Sequence, residues 1–196
     1  MGTVCTVPRI EIPLYWKRPE LVEGEHFNWH REGLYPQDQI SRLISGPRVY
    51  RWLMFAKNGE LGSCYIGESV DFYQRLRRHR LNIQTANGQN KLARAIRACE
   101  ESGGSVELEL LCLGIHGFYL NEVLVNDRSL GNHETRLMVE SISIAAFMKI
   151  HPNKLINHVR RSAFSRSEPK FKELIRRMKL APAILDEIRR HADSES

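Results

Sequence analysis

Long apolar runs are missing from this chain: no stretch approaches the eighteen or so apolar residues of a membrane helix. The amino terminus, Met1-Gly2-Thr3-Val4-Cys5-Thr6, lacks the charged-then-apolar layout of a secretory signal. It does carry the loose Gly2 pattern of an acylation site, which is short enough to recur by accident. Cysteine is scarce as well. Cys5, Cys64, Cys99 and Cys112 include no close pair, which argues against a zinc ribbon or a small disulfide scaffold. His116, His133, His151 and His158 have no metal-ligand spacing and read as surface or capping residues. Without internal repeats or low-complexity tracts, solenoid architectures are excluded too. What is present is ordinary for a globular protein expected in the cytoplasm: 196 residues, 42% hydrophobic and 27% charged, enough for one core domain with additions. The net charge of +6 and pI near 9.3 suit a polyanionic partner, since Lys and Arg release counterions from phosphates.

Residues 1–45 mix Pro8, Pro13, Pro19 and Pro36 with Trp16 and Trp29, so they predict an extension that packs on a core and contains no long helix. From Val49 to Ala56 the chain is aromatic and aliphatic, Lys57-Asn58-Gly59 signals a turn, and Ser63 to Gly67 resumes a strand. Ser69 is placed to cap a helix starting near Val70, with Asp71 in its first turn and Phe72, Leu76 and His79 on one face. Asn90 to Glu101 reads as a second helix, Val106 to Leu113 as a strand, and His133 to Ile150 as a helix ended by Pro152. The expected fold is therefore α+β: a small antiparallel sheet of three core strands flanked by helices. Residues 46–159 form the domain, with a loop insertion at about 115–132. From Arg160 to Arg190 ten Lys/Arg face four Asp/Glu, and the region 160–196 reads as a basic tail of short helical pieces.

One constellation stands out. Tyr65-Ile66-Gly67 is followed by Arg75 and His79 within RLRRHR, and downstream Leu137-Met138-Val139-Glu140 precedes Pro152 and Leu155-Ile156-Asn157. These residues resemble the GIY-YIG nuclease family from about Val49 to His158, and the element order agrees with that family's fold. The first triplet departs from the pattern: Arg48-Val49-Tyr50 keeps the tyrosine and loses the glycine. The resemblance implies an endonuclease hydrolysing phosphodiester bonds in double-stranded DNA, with Tyr50, Tyr65, Arg75, His79, Glu140 and Asn157 catalytic. Glu140 would hold one divalent cation, Mg²⁺ or Mn²⁺. Arg75 would pair with the attacked phosphate, Tyr65 would position it, and Tyr50 or His79 would act on the attacking water.

Geometry read from the residues supports the tyrosine pair. A two-residue turn at Asn58-Gly59 sets Trp52 opposite Tyr65, with Tyr50 one diagonal step away on the same face. Arg75 and His79, four apart on a helix, share a side. Taken singly, each residue also has an ordinary reading: the tyrosines as strand aromatics, Arg75 and His79 as a solvated helix face, Glu140 as a partner of Arg136 one turn earlier. Glu107 and Glu109 share a strand face and read as solvent-facing. Arg77, Arg78, Arg80, Arg160 and Arg161 are candidate DNA contacts. Chain size favours a restriction-type enzyme, and a palindromic target cut with one site per chain would call for a homodimer. The alternatives are a homing, phage or repair-type nuclease, or a noncatalytic DNA-binding protein of the same fold.

Overall fold

Residues Arg48–Phe55 (β3) alternate large side chains to both faces of a sheet, and every residue from Val49 to Met54 is buried. Only a strand covered on both faces accommodates such a run. The computed structural model, which describes residues 10–12, 14–21, 24–85, 90–120, 123–156 and 178–180, places it inside an antiparallel sheet. Leu61–Ser69 (β4) lies on one side of β3, Ser105–Cys112 (β5) on the other, and Tyr15–Lys17 (β2) beyond β5, giving the order β2-β5-β3-β4. The sheet thus has four strands where three core strands are expected, because the amino-terminal extension supplies β2.

Val49, Leu53, Cys64 and Ile66 point to one face and pack with Val139 and Ile142 of His133–Ile150 (α4). Tyr50, Trp52 and Met54 point to the other. They pack with Gln37–Ile44 (α1), Phe72–Gln84 (α2) and Lys91–Glu101 (α3) through Ile40, Phe72, Leu76 and Ile96. Each fully buried Leu, Ile or Phe contributes about 1.5–3 kcal/mol by leaving water, so the sheet is fastened from both sides.

The β3–β4 hairpin reaches the expected register by an unexpected route. Trp52 does face Tyr65, but the turn spans three residues, Lys57 to Gly59, closed by Ala56 N–H donating to Glu60 O at 2.8 Å. Gly59 sits at φ +86°, where a side chain would be strained. A bulge then shifts the pairing between Met54↔Ser63 and Phe55↔Leu61 and restores the two-residue register.

Helix α2 begins later than expected. Ser69 ends β4, and Asp71 is the cap: its carboxylate accepts from the Gln74 N–H at 3.1 Å, while the Ser69 hydroxyl donates to Asp71 O at 2.7 Å. Asp71 stands three residues before the donor that an N-cap side chain reaches. Asn90 and Asn132 cap α3 and α4 in the same way.

The stretch expected as a loop insertion is a small hairpin, Phe118–Leu120 (β6) with Val123–Val125 (β7), followed by a 3-10 turn at Ser129–Gly131. Phe118, Val125 and Leu130 are buried in the α4-side core. The extension likewise folds into β2, a 3-10 turn at Trp29–Leu34 and α1, and Trp29 meets Trp52 edge-on at 5.2 Å. Ile10–Ile12 (β1) pairs in parallel with Met178–Leu180 (β8), so the tail expected to be helical contains a strand there. Among the described residues no helix is long and apolar enough to cross a membrane.

Candidate active site

Tyr50 is fully buried where the faces of β3 and α2 meet. Its ring packs 4.7 Å from Phe72 and 6.3 Å from Tyr65, and its hydroxyl lies 2.8 Å from His79 Nε2. The strand pairing explains how two tyrosines fit. Tyr50 pairs with Gly67, and a Cβ on Gly67 would come within 2.8 Å of both Tyr50 Oη and Tyr65 Cε1. Glycine is therefore required by the rings themselves, a role for the third residue of the Tyr65-Ile66-Gly67 triplet that the sequence pattern does not state.

Burial sets the protonation states. Desolvation pushes the Tyr50 phenol well above its usual range, and the neighbouring Tyr65 and the Glu140 carboxylate add to the rise, while the Arg75 guanidinium opposes it. His79 is driven down to about 4, first by burial and then by the positive charges of Arg75 and Arg78. At neutral pH both partners are uncharged: a phenol beside a neutral imidazole. A Tyr50 that stays protonated is a poor base alone. An imidazole nitrogen 2.8 Å away can take its proton as the phenol accepts another, so the pair can move protons without forming a free phenolate.

Tyr50 from β3, Tyr65 from β4 and His79 from α2 stand ring to ring, and Arg75 from α2 and Glu140 from α4 are near enough for their charges to reach them. The fields of Arg75 and Glu140 both act on the Tyr50 hydroxyl. Glu140 comes from the helix that packs against β4, the outermost strand of the sheet. Arg136, one turn earlier, is 4% exposed. Its Nε donates to Glu68 at 2.8 Å, and its Nη1 donates to the Leu130 and Gly131 carbonyls. The Glu68–Arg136 strap joins β4 to α4 and was not signalled by any motif; only the adjacency of Glu68 to Gly67 hints at it.

Other expected residues fall elsewhere. Asn157, Arg160 and Arg161 lie outside the described residues. Arg80 pairs with Glu32 at 3.2 Å and is only partly exposed, so it braces α2 against the Trp29–Leu34 turn. Arg77 and Arg78 are exposed, with Arg77 5.9 Å from the Tyr73 ring. Glu107 and Glu109 are not simply solvent-facing. Glu107 bridges Arg18, and Glu109 accepts from the buried Arg51 Nε at 2.5 Å beneath the Trp16 ring. These pairs hold β2 on the sheet, because an arginine buried beside β5 needs a carboxylate there. His133 lies 3.3 Å from an Arg136 nitrogen, and His151 ends α4 against Phe147.

Comparison with known proteins adds no relative: no family model matches the chain, and no curated protein or solved structure matches it. What can be said of its chemistry comes from these side chains.

Proposed function

We propose that this chain is a metal-dependent endonuclease of the GIY-YIG type, hydrolysing phosphodiester bonds in double-stranded DNA. The observation that carries the reading is the Tyr50 hydroxyl, bonded to a neutral imidazole and subject to both a guanidinium and a carboxylate. Phosphodiester hydrolysis needs a proton acceptor for water, charge relief on the phosphate and help for the departing oxygen. A guanidinium, a carboxylate and a phenol–imidazole pair supply groups suited to those tasks.

Tyr50 accepts a proton from the attacking water as its own passes to His79 Nε2, so the phenol never becomes a phenolate and the positive charge forms on the His79 imidazole. With its pKa lowered to about 4, the imidazole is unprotonated throughout the neutral range, and the same burial and arginines make the imidazolium short-lived. Arg75 pairs with the attacked phosphate, for which its planar fork is suited. Tyr65 orients that phosphate from the next strand.

The donor set fits a hard cation. Glu140 is a half-buried carboxylate, whose oxygens are of the kind a hard cation prefers. Mg²⁺ or Mn²⁺ would be held through that carboxylate. When bound, it would relieve negative charge on the phosphate.

The test is cleavage of mixed-sequence duplex DNA by the full chain with Mg²⁺, with EDTA, and with Glu140→Ala. Nicked or cut DNA that disappears in both controls is expected. Cleavage unaffected by Glu140→Ala removes that residue from the chemistry, and DNA binding with no cleavage on any duplex makes the chain a noncatalytic DNA-binding protein. A restriction-type enzyme gives discrete fragments; a smear points to the less specific members of the class.

A further inference from the structure

Helix α2 has two flanks. Phe72, Leu76 and His79 face the sheet, and Arg75 projects on the side of the tyrosines. Tyr73, Arg77, Arg80 and Gln84, spaced by four, three and four, run down the other side. There they line a groove of about 640 Å³ whose far wall is α1 and the Trp29–Leu34 turn, with Tyr35 and Gln37 facing them. That volume falls in the range of sites for small organic ligands.

The groove is built in layers. Its floor is the Arg80–Glu32 pair, the carboxylate of which is nearly buried. That pair neutralises itself and fixes the spacing between helix and turn. The rim carries Arg77 and Arg78, neither of which has a carboxylate partner among the described residues. The walls add two half-buried phenol rings, Tyr35 and Tyr73, and the amides of Gln37, Gln74 and Gln84. Summed over the charged lining, three arginines against one glutamate leave a net +2. Surplus guanidinium, flat rings and amides together match a phosphate joined to a heteroaromatic base.

We infer that this groove is a nucleotide subsite, taking a phosphate on Arg77 and Arg78 and a base against Tyr73 and Tyr35. It deepens the nuclease reading, on which it rests for its source of nucleotide: a unit of the substrate strand lying across α2 from the scissile linkage. A helix with its side chains is about 10–12 Å across, and a strand advances about 3.4 Å per nucleotide. The subsite therefore engages the strand about three nucleotides from the cut. A base that leaves the stack there gains the two rings in exchange.

The experiment measures binding of labelled duplexes by fluorescence anisotropy, using the full chain with Glu140→Ala so that nothing is cut. Arg77→Ala and Tyr73→Ala are added singly; alanine suits the exposed helix position of Arg77, and Tyr73→Phe keeps the half-buried ring of Tyr73 as the control for packing. On a long duplex, Arg77→Ala should weaken binding several-fold and make the slope of log affinity against log salt shallower by about 0.9, one phosphate's worth. Tyr73→Ala should weaken it at least about fivefold, and Tyr73→Phe should not. Trimming the duplex to fewer than about three base pairs on one side of the cut should erase the Arg77→Ala effect. Affinity and slope unchanged by Arg77→Ala and Tyr73→Ala on the long duplex overturn the subsite. Calorimetric titration with a mononucleotide and with inorganic phosphate separates the sources. Tight mononucleotide binding lost in Arg77→Ala, with duplex binding untouched, overturns the strand assignment in favour of a free nucleotide. Binding needs no cleavage, so a chain that never cuts DNA but shows the long-duplex effects of Arg77→Ala and Tyr73→Ala sinks the nuclease reading alone.

Discussion

Protonating His79 should destabilise the fold in one pH window. In the unfolded chain the imidazole titrates near 6.5, and in the folded chain near 4, because burial and two neighbouring arginines disfavour its charge. Between those values the unfolded state binds the extra proton, so stability falls as pH drops from 6.5 to 4 and is unaffected above 6.5. The gap, at 1.36 kcal/mol for each tenfold change in proton affinity, amounts to about 3 kcal/mol in full and about 2 kcal/mol at pH 5. His79 is 6% exposed, so solvent does little to screen it. Urea unfolding followed by tryptophan fluorescence suits the test, since Trp52 lies 6.2 Å from the His79 ring. Comparing wild type with His79→Gln at pH 7.5 and pH 5.0 cancels the carboxylates common to both. Wild type should lose about 2 kcal/mol more than the variant, a midpoint difference of about 1 M at ordinary urea slopes. Equal losses would mean that His79 is solvated or bears its charge in the fold, and the neutral phenol–imidazole pair would go with it.

The local grammar of this chain was legible, and its long-range fastenings were not. Alternation and turn residues gave the β3–β4 hairpin and the Trp52–Tyr65 register, although the turn is one residue longer and a bulge makes up the difference. Helical spacing gave α2, α3 and α4, with ends displaced where two capping residues competed, Ser69 and Asp71. The extension escaped because its strand, Tyr15–Lys17, is three residues long and gains its meaning only from β5, more than ninety residues away. Arg51 and Glu109 illustrate the same limit: each reads as a surface charge, and only their adjacency across β3 and β5, under Trp16, allows the arginine to be buried. Tyr50, Tyr65 and His79 meet because each stands on a regular element whose face follows from its period. Arg80 diverged because a basic run on a helix does not reveal which of its members meets a carboxylate from a distant turn.

Removing Glu68 should leave the Arg136 charge buried without its carboxylate: Glu68→Ala is expected to destabilise by about 3–5 kcal/mol, read by urea unfolding, and Glu68→Gln by less. A loss below about 1 kcal/mol would show that the two carbonyls on Arg136 suffice. Arg75→Ala should slow single-turnover cleavage about 10²–10³-fold while weakening DNA binding less than tenfold, since its partner gains charge as the bond breaks. Equal losses in both would make it a ground-state phosphate contact. Gly67→Ala tests the site through one methyl group. The added carbon would lie 2.8 Å from Tyr50 Oη and from Tyr65 Cε1, well inside contact distance. Tyr50 has no room to retreat, being fully buried against Phe72, so the rings must part or β4 must shift, at about 1–3 kcal/mol. Either movement strains the 2.8 Å contact with His79, and cleavage should fall at least tenfold in protein that circular dichroism shows to be folded. If Gly67→Ala keeps wild-type stability and rate, the two phenols are not wedged around this backbone, and their shared placement no longer supports a common chemical task.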